Sequence, residues 1–79
     1  DEIQAMRCFV AVAECGGFSA AARKLRLQQS SVSRLVGRLE DHYRSVFLTR
    51  TTRKMALTES GRAYLADAQR ILGEIEGMR

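Results

Sequence analysis

Gln29, Ser30, Ser33 and Arg34 lie within six consecutive residues and carry side chains suited to reading base-pair edges. Glutamine can pair with adenine through a donor and an acceptor, and arginine matches the two acceptors of guanine. Serine serves either role and leaves room for a close approach. By composition alone, the same cluster is equally a solvated helix start. Arg50, Arg53 and Lys54 form a second, cationic group. They could neutralise phosphates or enter a narrow minor groove, and a basic tip can also be merely solvated. Ser19 reads as a helix N-cap beside free amides that could hold a phosphate. Arg23, Lys24 and Arg26 suit a polyanion, and equally suit the negative end of a helix dipole.

Other chemistry finds little to work with. His42 is the only histidine, with no acid or nucleophile at a recognisable spacing. Neither a glycine-rich phosphate loop nor a paired-carboxylate arrangement occurs, so the sequence does not read as an enzyme. Cys8 and Cys15 stand seven residues apart in one helical pattern, about 10 Å along the axis and too far for a disulfide. They read as buried structural thiols in a reducing, cytoplasmic setting. No cysteine–histidine spacing of a zinc site is present, and no metal or cofactor is expected.

Charge is unevenly distributed along the 79 residues. Residues 1–15 sum to −2 and residues 58–79 to −1, whereas residues 16–57 carry nine basic side chains against Glu40 and Asp41, a balance of +7. A basic middle between mildly acidic ends is what gripping a polyanion requires. Composition is otherwise that of an ordinary small globular domain, with 46% hydrophobic and 28% charged residues. A chain this short holds one core and gains from a partner subunit. No apolar run is long enough to span a bilayer, and Asp1-Glu2 is unlike the head of a signal peptide. The start without methionine suggests a piece of something longer.

The elements that must position these residues follow from periodicity. Ile3, Met6, Phe9, Val10 and Ala13 mark one apolar stripe on a first helix, stopped by Gly16-Gly17. Phe18 before a capping Ser19 starts a short second helix to about Leu25. A tight turn leads to a third helix near Gln29, whose buried face is Val32, Leu35, Val36, Leu39 and Tyr43. Its other face carries Ser30, Ser33, Arg34, Gly37 and Arg38. Two short helices so joined form a helix-turn-helix. Residues 46–50 and 54–57 read as strands around a polar tip at 51–53, forming a wing. Thr58 then caps a long final helix with Glu59 in its first turn. In that helix Gly61, Leu65, Ala68, Leu72 and Ile75 alternate spacings of four and three, the seam of a coiled coil seeking a partner helix. Packing on its own domain is the alternative. The fold expected is mainly α: a winged helix-turn-helix over residues 1–57, then a linker and dimerisation helix over 58–79. Two functions remain open on these residues: sequence-specific DNA binding, and a winged-helix protein-interaction module.

In order and spacing, these segments resemble the LysR-type transcriptional regulators along essentially the whole chain. Phe9 to Glu14 resembles that family's first helix, and Gly17-Phe18-Ser19-Ala20-Ala21-Ala22 to Leu25 its second. Gln29-Ser30-Ser31-Val32-Ser33-Arg34 resembles the start of the recognition helix, and Leu39-Glu40 its end. Phe47 to Thr51 and Leu57-Thr58-Glu59-Ser60-Gly61 resemble the wing and the start of the linker helix. The resemblance implies a DNA-binding domain of a bacterial regulator, acting as a homodimer on double-stranded DNA. It implies base contacts from Gln29, Ser30, Ser33 and Arg34, with wing contacts from Arg50 and Arg53. It also implies dimerisation through the final helix, and a C-terminal domain, absent from this sequence, that binds a small-molecule effector. This chain departs from the family pattern at Ser30, where many members have proline, and at Arg44, where glycine is usual. A left-handed arginine there would cost about 1 kcal/mol.

Overall fold

The computed structural model describes residues 1–50 and 54–77. Asp1 caps the first helix, its Oδ1 accepting the Ile3 N–H at 3.1 Å. That helix, α1 (Glu2–Cys15), ends where Gly16 turns left-handed at φ 82°. The apolar stripe understates its burial. Ala5, Met6, Cys8, Phe9, Ala11 and Val12 are all buried, because α2 (Phe18–Leu25) and α3 (Gln29–Tyr43) cover one side and α4 (Glu59–Gly77) another. Of the two thiols expected inside, Cys8 is buried and its pKa is pushed up by desolvation, whereas Cys15 is exposed at the helix end. Both are free.

The second helix starts two residues earlier than its serine suggests. Its N-cap is Gly17, no side chain caps it, and Ser19 lies inside the first turn. Phe18 is drawn into the core, and that burial sets the helix start in place of the hydroxyl. Helix α3 begins at Gln29 as the sequence implies, and buries Val32, Val36 and Leu39. Tyr43 departs from that buried face. It is 43% exposed, and its hydroxyl donates to the Glu2 carboxylate across the end of α1.

Strands β1 (Leu48–Arg50) and β2 (Met55–Leu57) pair antiparallel, with Leu48 opposite Leu57 and Arg50 opposite Met55. They are shorter than the alternation suggests, and Glu40 explains the late start of β1. Its Oε2 accepts the Phe47 N–H at 2.7 Å and the Leu48 N–H at 3.1 Å, so the chain entering the wing is held by α3. The expected tip at 51–53 lies outside the described residues.

Thr58 caps α4 as expected, its Oγ1 accepting the Gly61 N–H at 2.9 Å while its own N–H donates to Phe47 O at 3.0 Å. The α4 seam, however, is largely occupied within the chain. Gly61, Ala68 and Leu72 are buried, the last two in a cluster with Met6, and half-buried Leu65 packs on the main core. Of the seam residues only Ile75 is exposed, at 42%. A cluster of rings pins this helix. Phe47 stacks on Tyr64 at 4.8 Å, and Phe9 sits 5.5 Å from both. Burial raises the Tyr64 pKa well above its ordinary value.

Candidate nucleic-acid interface

On an α-helix each residue advances about 100° around the axis, so Ser30, Ser33, Arg34 and Gly37 share one face of α3, opposite Val32, Val36 and Leu39. The buried face fixes the helix on the core and leaves the other outward. Gln29, Ser30 and Arg34 are exposed, Ser33 is half-buried, and Gln29 sits on the shoulder of the face. No side chain caps this helix. Gln28, in extended backbone, accepts the Ser31 and Val32 N–H groups through its carbonyl at 3.0 and 3.1 Å. The first amides therefore have no side-chain cap, and the positive end of the helix dipole lies behind them.

Beside that start lies a shallow depression lined by Cys15, Ser19, Arg23, Gln29, Arg50 and Lys54. Three groups separated in sequence meet there: the opening turn of α2, the first residue of α3 and the base of the wing. Gly17 supplies no side-chain cap, so the first amides of α2 are likewise without one. The depression is thus a cationic surface with helix N-termini at its edge, which is favourable for phosphate. Arg53 lies outside the described residues, so its place beside these groups is left to the sequence.

Arg50 is held in an unforeseen way. Its guanidinium carbon lies 4.3 Å from the centroid of the Phe18 ring, a cation–π contact joining the wing to the start of α2. Phe18 read as a hydrophobic staple, and only the folded wing brings the arginine over it. Glu40, in sequence one acid of a basic stretch and part of the third-helix end, anchors the wing. Its partners are seven and eight residues away with no local motif to announce them. Of the basic trio at the end of α2, Lys24 lies 4.0 Å from Glu14 and faces α1, whereas Arg23 joins the depression. Among the described residues no group of three or more metal-binding side chains occurs, and no helix is long and apolar enough to cross a membrane.

Residues 3–62 match the model of the bacterial regulatory helix-turn-helix proteins of the lysR family. The chain belongs to the LysR family. Among curated LysR-family relatives, the activator AaeR of Escherichia coli (strain K12) is 41% identical over 76 residues, 96% of this chain and 25% of its own length. CrgA of Neisseria meningitidis is 51% identical over 67 residues, 85% of this chain and 22% of its own length. The chain therefore spans about a quarter of the length of these relatives. Among solved structures, the CbnR DBD–DNA complex superposes with a TM-score of 0.90 at 40% identity, covering 99% of this chain and 88% of that one. The BenM DBD complex with catB site 1 DNA gives 0.93 at 32% identity, over 99% and 87%. The winged helix-turn-helix architecture of this LysR-family chain is thus that of proteins solved on DNA.

Proposed function

We propose that this chain binds double-stranded DNA sequence-specifically, as the DNA-binding part of a bacterial transcription regulator. The observation that carries the reading is the outward face of α3. Gln29, Ser30, Ser33 and Arg34 stand at the exposed, uncapped end of a helix whose far side is fixed in the core. A major groove admits one such helix, and these side chains match base edges there. Phosphates are held alongside by Arg50 on Phe18, by Arg23 and Lys54, and by the amides at the start of α2. Ser19 acts here through its place in that first turn, and Arg53 extends the wing contacts. The mechanism is equilibrium binding with no covalent step.

The unit that binds is a homodimer. With Ala68 and Leu72 buried against Met6 of α1 and Leu65 packed on the main core, the α4 surface left for a second copy centres on exposed Ile75 and half-buried Ile71. Two copies would present two reading helices to two half-sites. The experiment is titration of a labelled duplex by the protein over a range of salt, with heparin as competitor. With about four to eight phosphate contacts, log K falls linearly with log salt at a slope of roughly −4 to −7. A protein that prefers no duplex over heparin does not read sequence.

A further inference from the structure

Three helices precede the wing, and each ends on a left-handed residue. For α1 that residue is Gly16, but for α2 it is Arg26 (φ 59°, ψ 42°) and for α3 it is Arg44 (φ 52°, ψ 44°). The two arginines occupy the same local motif. After α2, the Arg26 N–H reaches Arg23 O at 3.3 Å and the Leu27 N–H reaches Ala22 O at 3.0 Å. After α3, the Arg44 N–H reaches Asp41 O at 3.2 Å and the Ser45 N–H reaches Glu40 O at 3.0 Å. Both close a helix in the way glycine does best, and a β-carbon in this region crowds its own carbonyl. A strained side chain at such a position calls for a reason outside local stability.

For Arg26 the surroundings supply one. Leu25 and Leu27 on either side pack on the core, which turns the arginine outward, and it is exposed. Among the described residues it has no ion-pair partner, and Glu14, which Lys24 of the same helix reaches, is also held by Gln69. The negative end of the α2 dipole is already served by Arg23 and Lys24 in its last turn. Arg26 also stands three residues before Gln29, at the mouth of the helix whose outward face carries the candidate base readers. A helix inserted in a major groove is flanked by two rows of phosphates, and a long cation just ahead of its first turn meets one of them.

Resting on the DNA-binding reading above, we propose that Arg26 is a further phosphate-contacting residue, kept in a left-handed turn for its charge. Arg44 provides the matched control. It shares the strain but sits beyond the opposite end of α3, about 22 Å along the axis from the reading turn.

The test measures duplex affinity against salt, together with thermal melting, for the unaltered protein, Arg26→Gly, Arg26→Lys and Arg44→Gly. Arg26→Gly should reduce the steepness of the log–log salt plot by about 1 and weaken every duplex by a similar, roughly three- to tenfold factor at low salt. Its melting temperature should not fall. Arg26→Lys should keep the slope, and Arg44→Gly should keep both slope and affinity. An unchanged slope for Arg26→Gly would overturn the assignment, as would a loss confined to particular sequences. Failure of the unaltered protein to bind any duplex would overturn the DNA-binding reading and this assignment with it.

Discussion

Gly61→Ala reverses the sign that helix propensity alone would give. Gly61 lies in the first turn of α4, where alanine is ordinarily worth up to about 1 kcal/mol over glycine. A β-carbon there, however, would sit 2.1 Å from Phe47 O and 2.9 Å from Phe47 C, both backbone atoms that no rotamer can move. Relief requires α4 to lift from the segment entering the wing by about 1 Å or more. That strains packing at a cost of about 1–3 kcal/mol. It also stretches the bond from the Thr58 N–H to the same Phe47 carbonyl, 3.0 Å long, and the cap from the Gly61 N–H to Thr58, each worth about 1 kcal/mol. The balance is a loss of about 2–4 kcal/mol. In a domain of this size 1 kcal/mol corresponds to roughly 4–8 °C, so circular dichroism should record a melting temperature lower by roughly 10–25 °C. Gly37→Ala is the counterpart. Nothing lies within 4 Å of a β-carbon at Gly37, so melting should rise by several degrees. A Gly61→Ala protein as stable as the parent would refute the close approach of α4 to Phe47.

Arg44→Gly relieves a left-handed arginine at φ 52° and should raise the melting temperature by roughly 4–8 °C, about 1 kcal/mol; a fall would mean that Arg44 makes a contact worth more than its strain. Glu40→Ala leaves the Phe47 and Leu48 amides without their acceptor, so stability should drop by about 2–4 kcal/mol. Hydrogen exchange should quicken first in the wing, and unchanged wing exchange would contradict the anchoring role. The Cys8 thiol and the Tyr64 phenol are both raised by burial from ordinary values of 9.0 and 10.0. The unfolded chain therefore sheds these protons first. Their contribution is intact below about pH 9 and lost as pH climbs beyond it. Melting temperature should decline above that point, and less steeply in Tyr64→Phe; equal declines would remove Tyr64 from the account.

Much of this fold is legible from local rules. The third helix starts at Gln29 because the turn residues and the Val32, Val36, Leu39 spacing agree, and the face bearing Ser30, Ser33 and Arg34 follows from the same periodicity. Thr58 and Gly16 act as end signals for the same local reasons. What escapes is set by tertiary contact. Periodicity gives α1 one apolar stripe, whereas Ala5, Cys8, Ala11 and Val12 are buried because neighbours cover the helix from more than one side. The seam of α4 is a correct reading of an apolar line, but the pattern does not say what covers it, and Met6 of the same chain covers Ala68 and Leu72. Ser19 looks like a cap by type, yet burial of Phe18 starts the helix earlier. The Glu40 anchor and the seat of Arg50 on Phe18 join elements that no short motif links.

Base reading by the outward face of α3 is best measured by selecting bound sites from a random duplex pool. The unaltered protein should enrich a defined sequence, and Arg34→Ala should relax preference at one position of each half-site while the rest is retained. Enrichment of the same sequence with the same stringency by Arg34→Ala, or no enriched sequence from the unaltered protein, would contradict it.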